Sequence, residues 1–395
     1  MKIIHTSDWH IGKIVNEMSM IEDQKIILNK LLELTKKEKP DVLIIAGDLY
    51  DRSVPPVEAV SLLDEVLSKL TVDLGIKVIA ISGNHDSGER LSFSNKLLEK
   101  QGLYIAGEYE TLYKKVTLND EFGEVNFYLV PYKDPAIVRK ILEDKEIRNH
   151  NDSMKATLDI INKDLDKTKR NILVGHGYVT MSSREDDITS YEEANIEVSD
   201  SERPLAIGGT DIIDGKIFED FDYVALGHLH GRQKIGRDTM RYSGSLLKYS
   251  FSEVNQKKGV VVLSIGENRE MEIDFKELKP IRDLRNIKGD LDSIIEEGRE
   301  LKDGRDDYIQ AILTDEGELI DPMNKIRAVY KNTMIITRDS KKDNFNLESA
   351  KEGFRVKSES ELFKEFYEKN GDSEYDDVKE AIIKEVINEV LKEEV

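Results

Sequence analysis

Lys77-Val78-Ile79-Ala80-Ile81 runs straight into Ser82-Gly83-Asn84-His85-Asp86-Ser87. A short β-branched run stopped by glycine reads as a strand, and the turn after it carries an amide, an imidazole and a carboxylate. The same design recurs four times. Ile3-Ile4-His5-Thr6-Ser7 leads into Asp8-Trp9-His10, and Val42-Leu43-Ile44-Ile45-Ala46 into Gly47-Asp48-Leu49-Tyr50-Asp51. Asn171-Ile172-Leu173-Val174 leads into Gly175-His176-Gly177, and residues 221–226 into Gly227-His228-Leu229-His230. Five of the seven histidines lie in these turns. Strand ends on one side of an α/β sheet face a common crevice. Glycine lets the backbone bend sharply there, so the five turns are expected to meet.

Neutral imidazoles, carboxylates and one amide oxygen are the ligand set of a site for two divalent cations, with Mn²⁺, Fe²⁺ or Zn²⁺ favoured over Mg²⁺. Two such cations about 3.5–4 Å apart share an anion, activate water and clamp both oxygens of a phosphate ester under attack. A lone histidine at a strand end is ordinarily structural; five turns of matched chemistry and placement are not. His5, inside the first strand, reads as a core or supporting residue, and nothing around His150 suggests chemistry. Trp9 either packs under the site or touches a substrate. Asp51 and Asp86 either orient a histidine, as carboxylates commonly do, or build their turns. Lys13, Arg52, Arg90, Lys133, Arg184 and Arg232 are the basic residues placed to meet phosphate.

The chain has 395 residues, which points to two or three domains. It carries 58 Lys and Arg against 79 Asp and Glu, a net charge of −21. That argues against gripping nucleic acid over the whole surface, while leaving room for a basic groove or a basic partner. With no cysteine, disulfides, zinc–cysteine sites and thiol nucleophiles drop out, and a reducing cytoplasm fits. Neither a signal peptide nor an apolar stretch long enough to cross a bilayer is read.

Helical stripes are expected over 21–35, 57–70 and 153–167, where apolar residues recur on one side. Strands dominate 222–278, suggesting a second sheet packed on the first. Residues 185–202 read as an acidic, solvated loop. After Lys279-Pro280, residues 281–340 read as a small module of helix 290–301, strand 308–313, helix 323–330 and strand 334–337. A polar linker over 340–357 then leads to two amphipathic helices, the first opened by the capping pair Ser358 and Glu361.

The series D-x-H, G-D-x-x-D, G-N-H-D, G-H and G-H-x-H resembles the calcineurin-like metallophosphoesterase superfamily. The longer strings around it, with Ser199-Asp200-Ser201-Glu202-Arg203-Pro204-Leu205, Ile207-Gly208-Gly209 and Arg241-Tyr242-Ser243-Gly244-Ser245, resemble its SbcD family, the nuclease subunits of bacterial SbcCD complexes. The resemblance is strong over 1–250 and fades beyond. It implies a four-layer αββα sandwich over 1–279, a small α/β capping domain over 280–340, and a linker with C-terminal helices over 341–395. It implies Asp8, His10, Asp48 and His230 around one metal and Asp48, Asn84, His176 and His228 around the other. Asp48 would bridge, and Mn²⁺ would be the cation. His85 would be the transition-state stabiliser or general acid, beside Asp86.

The implied activity is that of a DNA nuclease of repair, recombination and replication, acting as an exonuclease on duplex ends and an endonuclease on hairpins or single strands. An SbcC-type coiled-coil ATPase would be its partner, docked by the C-terminal helices unless these fold back on their own core. A homodimer through the helices at 21–35, 57–70 and 88–100, within a heterotetramer, would complete the assembly. Two rivals stay open: hydrolysis of phosphomonoesters, cyclic nucleotides or protein phosphates by the same site, and a scaffold whose metal site is vestigial.

Overall fold

A computed structural model describes residues 1–181, 198–202, 211–339 and 379. Residues 1–337 pack as one compact unit, and Arg338–Val395 form the second. The expected linker and C-terminal helices, most of the acidic loop and Arg184 lie outside the described residues.

Two six-stranded sheets make the centre. In the first, Lys2–Thr6, Val42–Ile45, Lys77–Ile81 and Leu103–Ala106 run parallel in that order. In the second, Gly123–Val130, Arg170–His176, Tyr223–Gly227 and Arg237–Tyr242 run parallel. Antiparallel strands, Lys114–Asp120 and Gln233–Ile235, close its two edges. Side chains alternate across each strand. Ile3, Val42, Ile44, Ile79 and Ile81 of one sheet thus share a core with Phe127, Ile172, Val174, Tyr223 and Ala225 of the other.

The opposite faces are apolar too, and helices cover them. Leu43, Ile45, Val78 and Ala80 pack with Ile27, Leu28 and Leu31 of helix Ile21–Glu38 and with Leu62, Leu63 and Val66 of helix Val57–Ser68. Leu173, Val224 and Leu226 pack with Met154, Leu158 and Ile161 of helix His150–Lys163. The order is helix, sheet, sheet, helix. Strands buried on both faces account for the near-continuous apolar runs.

The registers set up the site. Thr6 pairs with Ile45 and Ile45 with Ala80, while Gly227 pairs with His176. The parallel strands of each sheet therefore end level, and their turns begin at one height.

The structure corrects the strand assignment in three places. Gly259–Ile265 and Met271–Glu277, expected in the second sheet, form a hairpin that extends the first, antiparallel to Lys2–Thr6. The Arg170–His176 strand belongs to the second sheet rather than to the series before it. Strands Leu103–Ala106, Lys114–Asp120, Gly123–Val130 and Leu284–Gly289 went unread. The last, Leu-Arg-Asn-Ile-Lys-Gly, fully buries only Leu284, so its pattern is faint.

In the small module, Leu284–Gly289, Tyr308–Leu313 and Thr333–Arg338 form a three-stranded sheet with helices Leu291–Glu300 and Pro322–Arg327. It has its own core, including Leu291, Ile294, Ile309 and Ile326. Leu284, Tyr308 and Met334 pack instead into the core beneath helix Ile21–Glu38. Buried Asp23 of that helix takes the guanidinium of Arg282 and, at 2.8 Å, the hydroxyl of Tyr308. No helix among the described residues is long and apolar enough to cross a membrane.

Candidate metal centre

The five turns meet at one end of the sandwich, tied by their own backbones. Asp8 and His10 donate N–H to the carbonyls of Gly47 and Asp48, each at 3.0 Å. The N–H of His228 donates to Asp8 Oδ1 at 3.0 Å, and that of His85 to Asp48 Oδ1 at 2.9 Å. Asp8, His10, Asp48 and His228 all have positive φ, at 52°, 45°, 51° and 109°. Non-glycine residues are strained in such conformations, and four of them at one place mark a site held by its surroundings. Two glycines make the crowding possible. A Cβ on Gly83 would lie 2.2 Å from Asp48 Oδ1, and one on Gly47 would lie 2.3 Å from His176 Nδ1.

Two neighbouring groups of donor atoms are Asp8, His10 and His230, and Asp48, His176 and His228; a third joins His10 with Asp51 and His85. His10 Nε2 and His230 Nε2 face each other at 3.1 Å. Asp48 Oδ2 lies 3.6 Å from His10 Nε2 and 3.4 Å from His176 Nε2, between the groups. Asn84 Oδ1 lies 3.0 Å from both His176 Nε2 and His228 Nδ1. His176 Nδ1 is 2.8 Å from the carbonyl of Ala46, which can only accept. Nδ1 therefore carries a proton, and Nε2 is the ring atom aimed at the two oxygens. Such a convergence is held by a proton on Nε2, and a divalent cation can take that proton's place. The residues present thus fit divalent cations.

Charge on these groups agrees. His176 is drawn up to about 9: burial opposes its charge, but the Asp48 carboxylate outweighs it. Burial also opposes ionisation of Asp48, yet His176 and His10 hold it well below the usual carboxylate range. Burial pushes Asp8 up to about 6 and drives His10 and His228 well below the ordinary imidazole value. A buried cluster whose members compete for protons is a place where a cation displaces them.

Proteins of similar sequence point the same way. Residues 1–232 match the family described as calcineurin-like phosphoesterase, and residues 280–370 match the type 5 capsule protein repressor C-terminal domain. The chain is similar to the SbcD component of the SbcCD nuclease of Staphylococcus epidermidis, 37% identical over the full length of both. It belongs to the SbcD family of calcineurin-like phosphoesterases. Among solved structures it is similar to TT1561 of Thermus thermophilus, 13% identical over 70% of this chain and 99% of that one, TM-score 0.39. A dimetal phosphatase from Danio rerio is 12% identical over 71% and 96%, TM-score 0.40. Membership of the SbcD family makes the chain a metal-dependent phosphodiesterase of the SbcCD nuclease type.

Other residues of this SbcD-family site have definite places. His85 Nδ1 lies 2.8 Å from the main-chain carbonyl of Asp51, and its ring stands edge-on to His10 with centroids 4.8 Å apart. Asp51 thus orients a histidine through its backbone, while its carboxylate meets Lys13 Nζ at 2.8 Å. Both oxygens of Asp86 are taken by the N–H groups of Leu49, Tyr50 and Gly83. It clamps the Asp48 turn to the Gly83 turn. Burial, then Asp48, pushes its carboxyl up to about 7, against the pull of those N–H groups. His5 is a core residue bonded to the Tyr223 hydroxyl and Leu226 carbonyl. Trp9 is buried in the helix-side core, which excludes contact with a substrate. His150 stacks on Tyr132, which in turn stands edge-on to His176.

Of the basic candidates, Lys13 and Arg52 both lie beside Asp51 at the site, Arg52 with its side chain about half exposed. Arg90 is exposed, and Arg232 is exposed with its guanidinium 4.1 Å from the Phe275 ring centre. Lys133 is spent on the carbonyls of Glu108 and Tyr109. Sequence reading gave no role to Ser201, Glu202, Glu253 or Lys258, which gather behind His230. Ser201 and Glu202 fall in a stretch that read as solvated loop, yet Glu202 is buried.

Proposed function

We propose that this chain is a DNA nuclease using two divalent cations, Mn²⁺ in the cell. Asp8, His10, Asp48 and His230 hold one and Asp48, Asn84, His176 and His228 the other. The observation that carries this reading is the convergence of the Nε2 atom of His176 with Asn84 Oδ1 and Asp48 Oδ2, beside the facing Nε2 atoms of His10 and His230. When bound, the cations supply activated water and the charge that steadies the phosphate under attack.

The protein's own groups do the rest. Asp48 sits between the two groups of donors with an oxygen within 3.6 Å of a histidine nitrogen on each side. His85, whose Nδ1 donates to the Asp51 carbonyl, turns Nε2 to the substrate, and its doubly protonated ring would give a proton to the leaving oxygen or steady charge on it. Lys13, Arg52, Arg90 and Arg232 offer charge to the flanking phosphates, and Arg184 belongs to the same proposal. The substrates are duplex ends, cut as an exonuclease, and hairpins or single strands, cut as an endonuclease, in repair, recombination and replication. The partner is an SbcC-type coiled-coil ATPase in the cytoplasm. The name of the Staphylococcus epidermidis relative supports that partner, and docking through residues 341–395 belongs to the same proposal.

A homodimer within a heterotetramer belongs to the same proposal; exposed Val57, Val60, Phe93 and Leu97 lie in two of the segments expected to form it. The test is digestion of end-labelled duplex and hairpin DNA by the purified chain, with Mn²⁺ and with chelator, with and without the ATPase. Mn²⁺-dependent cutting is expected. Fast hydrolysis of a small phosphodiester with no DNA cutting would move the substrate to small esters.

A further inference from the structure

His230 is gripped at three of its polar atoms. Its N–H donates to Glu202 Oε1 at 2.5 Å. Its carbonyl accepts from Lys258 Nζ at 2.8 Å and from the Ser245 N–H at 3.2 Å. Its ring Nδ1 lies 2.7 Å from Ser201 Oγ and 3.4 Å from Glu253 Oε1. The Ser201 hydroxyl lies 2.5 Å from the same Glu253 oxygen. Glu253 is fully buried, and its other oxygen is 2.6 Å from Lys258 Nζ.

The proton positions follow from this chain of partners. A carboxylate paired with an ammonium can only accept, and Ser201 Oγ is closer to Glu253 Oε1, at 2.5 Å, than to the Ser199 hydroxyl, at 2.8 Å, so it donates to Glu253 and accepts from Ser199. The Ser201 oxygen is then the acceptor for the Nδ1 proton of His230. The lone pair is left on Nε2, the atom that faces His10 Nε2 at 3.1 Å and belongs to the donor group with Asp8. Elsewhere in the site, Nδ1 of His176 and of His85 rests on a neutral backbone carbonyl. His230 is backed, through one hydroxyl, by an ionised carboxylate, which makes its ring a stronger donor.

We propose that Ser201, Glu253 and Lys258 are positioning residues that fix the tautomer and strengthen the ligand character of His230. The network thereby makes the Asp8–His10–His230 position the tighter of the two metal positions. The inference rests on the two-cation reading above and deepens it. Glu253 and Lys258 act as a pair, and Ser201 is the replaceable link between the pair and the ring.

The experiment is calorimetric titration of the full-length, metal-stripped chain with Mn²⁺, for the wild type, Ser201→Ala and Ser201→Thr, with melting temperatures recorded in chelator. Wild type is expected to bind in two steps. Ser201→Ala should weaken the tighter step by roughly 10–100-fold and leave the weaker step in place. Ser201→Thr, which keeps the hydroxyl, should restore the tighter step. Two unmoved steps in Ser201→Ala would overturn the inference. Equal weakening of both steps with a lower melting temperature would also overturn it, since that marks a structural role. A wild type that takes up no cation ends the two-cation reading, and this inference with it.

Discussion

The main-chain carbonyl of Asp51 takes the Nδ1 proton of His85 across 2.8 Å. The carbonyl cannot donate, so the imidazole has one tautomer when neutral and leaves Nε2 for the substrate. His85→Gln removes that ring and leaves every proposed metal ligand in the chain. Its kcat on DNA should fall by roughly 10²–10⁴-fold, with Mn²⁺ content by elemental analysis equal to wild type. Full activity in this variant would remove His85 from the chemistry.

Asp86 acts by a different route. Its carboxylate holds the N–H groups of Leu49, Tyr50 and Gly83, and each buried N–H orphaned by Asp86→Ala costs roughly 1–3 kcal/mol. The variant should lose stability to urea by at least that much and bind Mn²⁺ more weakly. The Asp48 and Gly83 turns loosen together. Unchanged stability with lost activity would instead make Asp86 a direct participant in catalysis.

A pH dependence follows from Asp120 at the far end of the sheets. Hydrogen bonds from Arg170, then from the N-terminal ammonium, outweigh burial and hold its carboxyl well below the usual range. A depressed carboxylate contributes stability above its unfolded pKa of about 3.9 and loses it as pH falls toward the folded value. Asp120→Asn should therefore be less stable than wild type at pH 7, with the gap narrowing progressively below about pH 5. Urea unfolding at pH 7, 5 and 3 checks this. A gap that is constant with pH would mean that the carboxylate charge contributes nothing.

Much of the site was legible because each of its turns follows its own strand within a few residues. The ligand types, the glycines and the strand signals of Asp8, Asp48, Asn84, His176 and His228 sit side by side in the sequence. The support behind His230 was not legible. Ser201 and Glu253 reach it from 29 and 23 positions away, and nothing local distinguishes a buried glutamate from a solvated one. The layers were likewise clearer than the sheet order. Residues 260–263 are apolar throughout and buried on both faces, a pattern that fits an inner strand of either sheet. The role of Asp86 depends on backbone N–H groups, which carry no side-chain signature.

The central claim is that five separated turns gather one pair of cations. Anomalous X-ray diffraction from crystals of the chain soaked in Mn²⁺ tests it most directly. Two peaks about 3.5–4 Å apart should appear, one beside His10 and His230 and the other beside His176 and His228, with Asp48 touching both. A single peak, or peaks away from Asp48, would contradict it.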